Sequence, residues 1–193
     1  CRLLAQTGSA EEFYFLPEEQ LRMLDGMDEE ILQAILKGRK QDMEEAYLRM
    51  CEKGITFLSM EDPAYPQKLK QIPDPPLGLY VKGRLPSQEQ KTVAIVGARM
   101  CSEYGRAVAK ELGKRLAAMD VCIVSGMARG IDAAGHTGAL EASGMTCAVL
   151  GCGVDVCYPS SHRKLYGDIL EKGSIVSAYP PEPHPLPALF PQR

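Results

Sequence analysis

The chain has 193 residues, of which 45% are hydrophobic, and a formal net charge of −3 at pH 7. This length allows one good core, or one domain with a small second one. The acidic balance argues against a protein that coats duplex DNA by charge alone. No apolar run reaches membrane-spanning length, and the start lacks the apolar centre of a signal peptide. Seven cysteines without a Cys-x-x-Cys pair favour reduced thiols and a cytoplasmic protein over a metal site.

Residues 1–55 are predicted to form a small all-α domain. Pro17 and the acidic pair after it are typical of a first helical turn, and Asp28 can cap the next helix. A third helix is expected from about Gln41 to a stop at Gly54. Residues 56–90 are predicted to be a proline-rich linking segment, in which residues 77–81 form an edge strand.

Residues 91–193 alternate strands with helices. Strands are expected to begin at Thr92, Val121, Thr146 and Ser174, with helices over 102–119, 131–143 and 161–172. The predicted fold class is therefore α/β: a mainly parallel sheet of four strands with helices on both faces, preceded by the small all-α domain. The proline-dense residues 180–193 cannot form one continuous strand or helix.

Three of the predicted strands are buried on both faces, and each ends at a glycine, namely Gly97, Gly126 and Gly151. In a parallel sheet the three turns leave at the same edge, where such sheets bind ligands. Glycine lets backbone amides approach closely and converge on an anion. The positive charge also lies in this half, because residues 1–90 carry 11 Lys/Arg and 16 Asp/Glu, whereas residues 91–193 carry 11 and 9. The sequence predicts one composite anion-binding crevice.

Arg99 is the leading candidate in this crevice. Its guanidinium can bind one phosphate oxygen bidentately while the amides of Ala98 and Arg99 meet another. Ser125 can donate its hydroxyl, and the long turn after it permits a nest of amide donors. The predicted phosphate-binding residues are Gly97, Ala98, Arg99, Ser125, Gly126, Gly130, Gly151 and Gly153.

Each of five further side chains has two possible roles. Asp132 is predicted to be a structural cap of its helix rather than a catalytic acid, because no partner acid or metal cluster accompanies it. His136 shares a helix face with it, but without a Gly-x-Ser-x-Gly turn a structural histidine is expected. Tyr158 can stack on a base or pack beneath its own loop. Arg163 and Lys164 can reach a phosphate or lie solvated in a first helical turn.

Nucleotide-binding loops of the common types are missing. The chain has no Gly-x-x-x-x-Gly-Lys-Ser/Thr run, and Gly151-x-Gly153 lacks the third glycine of the dinucleotide fingerprint, because Val156 stands there. A mononucleotide remains compatible with the turns. No catalytic residue, metal or cofactor is predicted.

Residues 91–193 contain a series of short motifs: Gly97-Ala98-Arg99, Tyr104-Gly105, the run from Ser125 to Asp132, His136, residues 138–142, the run from Ala148 to Asp155, and Tyr158-Pro159. In these motifs the chain resembles the DNA-processing protein A family, also called DprA or Smf. The likeness extends back over Tyr65-Pro66, residues 74–76, Leu79-Tyr80 and Gly83. Ala98 stands where the family typically has Ser or Thr, and Ser160 where members often carry Lys.

The resemblance implies a Rossmann-like fold that binds single-stranded DNA. It implies a role in natural transformation, in which the protein protects incoming strands and helps to load the RecA recombinase. It also implies a homodimer when full length, and a chain truncated before the end of its Rossmann-like domain.

Two other classes of function stay open. One is a nucleotide-binding Rossmann enzyme of the phosphoribohydrolase (lysine-decarboxylase-like) type, which shares the strand–glycine layout. That class needs a catalytic acid and usually a Pro-Gly-Gly-x-Gly-Thr turn, and neither is found here. The other is a scaffold that contacts a partner through its helical N-terminal segment.

Overall fold

The computed structural model describes residues 3–182 and 184–193. The chain forms two compact units, of which the first ends at Arg49 and the second begins at Met50. Within the described residues, no helix combines the length and apolar character that crossing a bilayer requires.

The first unit is built from short helices. Ser9 and Asp28 cap two of them, since each side chain accepts a hydrogen bond from an amide three residues later, and this confirms the predicted cap at Asp28. Leu21 and Leu32 are fully buried and form its small core. The helices are a 3-10 turn at Leu4–Gln6, α1 (Ala10–Phe15), α2 (Glu18–Arg22), α3 (Glu29–Gly38) and α4 (Met43–Glu52), which begins in this unit.

The second unit contains one six-stranded sheet. Its strands are β1 (Ile55–Ser59), β2 (Gly78–Gly83), β3 (Thr92–Ala94), β4 (Cys122–Ser125), β5 (Thr146–Val149) and β6 (Ser174–Ser177). Their order across the sheet is β1-β2-β6-β5-β4-β3. The four strands from β3 to β6 pair in parallel, whereas β2 joins β6, and β1 joins β2, in antiparallel fashion. The helices are α5 (Gln67–Lys70), α6 (Glu103–Ala118), α7 (Ile131–Glu141), α8 (Arg163–Lys172) and α9 (Leu189–Gln192), with a 3-10 turn at Ser160–His162.

The α/β class and the mainly parallel sheet are confirmed, but the antiparallel end differs from the prediction. The sheet has six strands: the four predicted parallel strands, the predicted edge strand, which joins them as β2, and β1, which was not predicted. The strand predicted at an edge is β2, which lies between β1 and β6. Its neighbouring prolines lie outside the strand on either side, so its own amides can pair on both sides. Residues 56–90, predicted as a linking segment, thus supply strands of the sheet.

The crossover helices share one face of the sheet. Side chains of α6, α7 and α8 pack with Ile123, Ala148 and Ile175, whereas the alternate strand residues pack with Tyr65 and Leu69 of the segment around α5. The parallel strands follow one another in a single direction, so right-handed connections place successive helices on the same side. Helices therefore lie on both faces of the sheet, as predicted, but the second face is covered by α5 and not by one of the crossover helices.

Helices α6 and α7 approach each other closely at glycines. A Cβ placed on Gly138 of α7 would collide with the backbone carbonyl of Lys110, and one on Gly113 of α6 would collide with that of Gly135. Backbone carbonyls cannot rotate away as a flexible side chain can. The absence of side chains at these positions therefore sets the distance between the two helices.

We predict that Gly138→Ala lowers the free energy of unfolding by about 2–3 kcal/mol, because the added methyl forces two helix backbones apart. Gly167→Ala is the matched control, since Gly167 lies in α8 with nothing within 4 Å of its added Cβ. That control is expected to gain about 0.5–1 kcal/mol from helix propensity. Urea denaturation measures both changes, and equal effects at the two sites would contradict the close packing.

Candidate functional site

The three glycine turns lie at one edge of the sheet, as predicted. Strands β3, β4 and β5 are parallel neighbours, so their carboxyl ends meet there. A cavity of about 380 Å³ opens at this edge. We call it the crevice. Its lining includes Val96, Gly97, Arg99, Ser125, Gly126, Asp132, Phe190 and Arg193.

The first turn, residues 97–99, is exposed at the mouth of the crevice. The amide of Ile131, at the start of α7, donates a hydrogen bond of 3.3 Å to the carbonyl of Ala98. The guanidinium carbon of Arg99 lies 5.6 Å from the centroid of the Phe190 ring, within cation–π range. The turn thus rests on α7 and directs its cation towards the chain that follows β6.

The second turn is more deeply buried, and its polar groups are engaged within the protein. The hydroxyl of Ser125, 3% exposed, donates a 2.5 Å hydrogen bond to the carbonyl of Ile95. That proton is committed to joining β4 to the end of β3, so Ser125 cannot also offer it to a ligand. In this turn the backbone adopts a positive φ at Gly130 (82°) and at Met127 (52°), but not at Gly126.

Asp132 joins the first and second turns. Its Oδ1 accepts from the amide of Gly97 at 3.4 Å, and its Oδ2 accepts from the amide of Gly126 at 3.1 Å. Sequence analysis predicted a cap of its own helix, but the N-cap of α7 is Gly130 and no side chain caps that helix. The prediction failed because Asp132 is the second helical residue, from which the carboxylate reaches the neighbouring loops. The same two amides had been predicted to bind phosphate.

The third turn lies beneath the chain that follows β6. A Cβ on Gly151 would come within 2.9 Å of the Phe190 ring, and one on Gly153 would meet the backbone of Pro180 and Glu182. Both glycines are buried, so they shape this covering and their role in binding an anion stays a prediction. The sequence did not predict that this segment covers the turn.

Asp155 anchors the covering segment to the third turn. Its carboxylate accepts from Lys53 at 2.9 Å and from the amide of Glu182 at 2.9 Å. Burial alone would raise the pKa of Asp155, but these hydrogen bonds outweigh it and the pKa is lowered. The carboxylate therefore stays ionised and holds the chain in place above the turn.

Phe190 and Arg193 belong to the site and were missed by sequence analysis. The guanidinium carbon of Arg193 lies 5.5 Å from the Phe190 centroid, and its Nη1 donates to the carbonyl of Gly126 at 3.1 Å. The ring of Tyr158, 42% exposed, lies 5.6 Å from that of Phe190. Their position in the chain could have indicated this role. The last parallel strand ends at the carboxyl edge of the sheet, and the segment that follows it carries an aromatic side chain and a cation.

Arg163 and Lys164 do not line the crevice. Both are exposed at the start of α8, and Lys164 pairs with Asp168 at 2.6 Å along its own helix. That hydrogen bond raises the pKa of Lys164. Their contact with DNA stays a prediction, with Lys164 already matched to a carboxylate.

His136 is a buried structural residue. The hydroxyl of Thr146 donates its proton to the carbonyl of Ile123 at 2.7 Å. The hydroxyl oxygen of Thr146 therefore accepts a hydrogen bond from Nδ1 of His136 at 2.6 Å. Burial, and secondarily the charge of nearby His162, lowers the pKa of His136 to about 3, partly opposed by the Ser125 backbone. The ring is therefore neutral at pH 7.

The two cysteines in the parallel strands are buried and unreactive, and the described residues form no metal site. Burial raises the pKa of Cys122 to about 12 and that of Cys147 to about 11, so these thiols stay protonated. Among residues 3–182 and 184–193, no group of three or more His, Cys, Asp or Glu side chains is placed to hold a metal ion.

The chain matches the family model described as DNA recombination-mediator protein A over residues 56–193. The Smf protein of Synechocystis sp. is 40% identical over 146 residues, which are 74% of this chain and 37% of that protein. The DNA processing protein DprA of Streptococcus pneumoniae is 36% identical over 162 residues, which are 83% of this chain and 56% of that protein. This chain thus spans between about a third and three fifths of the length of these relatives.

Two solved structures share the fold. The X-ray structure of DNA processing protein A from Streptococcus pneumoniae has a TM-score of 0.74 and 31% identity, and the match covers 92% of this chain and 61% of that one. DNA processing protein A from Helicobacter pylori, whose structure gives insight into its single-stranded DNA binding mode, has a TM-score of 0.61 and 28% identity. That match covers 70% of this chain and 60% of that one.

The buried His136 predicts acid sensitivity. The pKa of His136 in the folded state is about 3, below the ordinary histidine value of 6.5. As the pH falls from 6.5 towards 3, the unfolded state therefore binds a proton that the folded state does not bind. The free energy of unfolding should fall over this range by up to about 1.4 kcal/mol per pH unit from this residue. Denaturation of the wild type and of His136→Gln between pH 7 and 5 measures it. Identical slopes in the two proteins would refute the assignment.

Proposed function

Because this chain belongs to the DNA recombination-mediator protein A family, we propose that it binds single-stranded DNA, without sequence preference, along the crevice. The wider role that we propose is the protection of incoming strands in natural transformation and help in loading the RecA recombinase. The full-length protein would act as a cytoplasmic homodimer. The Helicobacter pylori relative, studied for its binding of single-stranded DNA, supports the choice of polymer.

The observation that carries this proposal is the pair of guanidinium groups on one aromatic ring at the mouth of the crevice. Arg99 and Arg193 lie 5.6 and 5.5 Å from the centroid of Phe190. Each guanidinium can give a phosphate two parallel hydrogen bonds. Two such cations, one on each side of a ring, suit the repeated negative charges of a polynucleotide better than they suit a single small anion.

Aromatic surface beside the cations suits the bases of a single strand. Tyr158 is 42% exposed and lies next to Phe190. Stacking on such a ring is worth about 1–3 kcal/mol per base and accepts every base, because each has a π-face. A duplex keeps its bases stacked on one another, so it cannot use this surface. The arrangement favours single strands over duplex.

We propose binding rather than catalysis because the polar side chains of the crevice already have internal partners. Ser125 donates to the Ile95 carbonyl, and Asp132 accepts from two turn amides. His136, on the same helix as Asp132, is buried and hydrogen-bonded to Thr146. A nucleophile activated by a base would need at least one such pair in contact with the crevice.

We predict that Arg99→Ala weakens binding of an oligo-dT strand on the order of tenfold, because one charge-assisted phosphate contact is lost. The slope of log affinity against log salt should become shallower by about 0.7, the contribution of one single-strand phosphate contact. Fluorescence anisotropy titrations of the full-length protein at two salt concentrations, with single- and double-stranded oligonucleotides, measure both quantities.

Arg115→Ala is the matched control for charge. Arg115 lies near the end of α6 that is remote from the crevice, and its side chain is 76% exposed. Among the described residues its ion-pair partner is Glu111 of the same helix. Its removal should leave affinity and salt slope unchanged. Equal losses in the two variants, or unchanged binding in Arg99→Ala, would contradict the crevice as the binding site. Release of free base from nucleoside monophosphates would instead support the phosphoribohydrolase alternative.

Contact with RecA and assembly into a homodimer require separate tests. Light scattering of the full-length protein gives its mass in solution, and a monomer at all concentrations would contradict the dimer. Loading of RecA onto strands already covered by a single-strand binding protein is measured by the onset of RecA ATP hydrolysis. The same onset with and without this protein would refute the loading role.

A further inference from the structure

The carboxylate of Asp132 occupies the two amides that a phosphate would otherwise use. It is 4% exposed and accepts from Gly97 at 3.4 Å and from Gly126 at 3.1 Å. It also lies in the first turn of α7, where the helix dipole stabilises negative charge. A buried carboxylate with two amide donors and a helix N-terminus has its hydrogen-bonding needs met inside the protein. A second anion at the same amides would meet direct repulsion.

The start of α7 also shapes the backbone of the first turn. Gly130 has a φ of 82°, and a Cβ there would collide with the carbonyl of Ala98 and come within 2.7 Å of that of Arg99. The next amide, that of Ile131, donates to the Ala98 carbonyl, and the Ile131 side chain would lie 2.8 Å from a Cβ on Gly97. The N-cap of α7 and its first two residues thus contact three consecutive residues of the turn.

We infer that Asp132 is a positioning residue for DNA binding: it ties the first turn to the second and so fixes the backbone from which Arg99 extends. The phosphates are then bound by the guanidinium groups of Arg99 and Arg193, rather than by the amides of Gly97 and Gly126. This inference rests on the proposed function. It assigns Asp132 a role different from both capping and catalysis.

The direction in which one substitution changes DNA affinity distinguishes this positioning role from a purely electrostatic effect. Asp132→Asn removes a negative charge close to the bound phosphates, so charge alone would tighten binding. Positioning requires the opposite result. Asparagine offers one carbonyl oxygen, and its amide group is a donor that cannot accept from a second backbone amide. Because the bond to Gly97 is the longer one, the first turn should be released, and Arg99 with it.

The test is a double-mutant cycle of Asp132→Asn and Arg99→Ala in the full-length protein, read by oligo-dT affinity. We expect Asp132→Asn to weaken binding by roughly fivefold when Arg99 is present, and by less than twofold in the Arg99→Ala background. A merely structural loss would be equally large in both backgrounds. Thermal denaturation by circular dichroism confirms that each variant is folded at the temperature of the titration.

Three results would overturn the inference: tighter binding by Asp132→Asn, unchanged binding, or a loss that is undiminished in the Arg99→Ala background. Should Asp132→Asn fail to fold, Asp132→Ser enters the same cycle, because its single, shorter-reaching oxygen cannot accept from both turns. The expectation and the contrary results are the same. Failure of the proposed function is distinct, because it shows as no binding by the wild type or no effect of Arg99→Ala.

Discussion

The close approach of α7 to its neighbours is the constraint on which the crevice depends. Gly138 admits the Lys110 carbonyl of α6, and Gly135 leaves room for the side chain of Ile95 at the end of β3. Larger residues at these positions would hold the helix axis further from the sheet. With the helix at this short distance, Asp132 reaches the turns after both β3 and β4. The packing of α7 therefore determines the geometry of the site.

The negative and positive charges of the crevice lie at different depths. The carboxylate of Asp132 is buried, with its hydrogen bonds satisfied inside the protein, whereas Arg99 is exposed at the mouth. An exposed cation keeps its attraction for a polyanion at long range, and salt screens that attraction. A buried anion matched by amides and a helix dipole instead organises the loops around it. This arrangement lets a chain with a net charge of −3 present a locally cationic mouth.

The sequence predicted the parallel half of the fold well because its signal is local. Strands β4 and β5 are short apolar runs that end at glycines, and their order along the chain is their order in the sheet. Strand β1 was missed because its five residues, Ile-Thr-Phe-Leu-Ser, do not alternate strictly between apolar and polar side chains. Phe190 and Arg193 were missed because their place depends on the return of the chain across β3 to β5. Asp132 was found, but its partners lie in turns up to 35 residues away, and spacing along one helix cannot reveal them.

The donors at this site determine what kind of recognition it can perform. A nest of backbone amides holds one anion at one fixed point and gives it a defined orientation. Here two of the amides that would form such a nest bind Asp132, and the cations are side chains resting on an aromatic ring. A guanidinium on a ring can pivot and keep its cation–π contact, so it can follow a phosphate whose position varies from one nucleotide to the next. Rigid turns below and adaptable cations above suit a polymer that is gripped by its backbone and read at none of its bases.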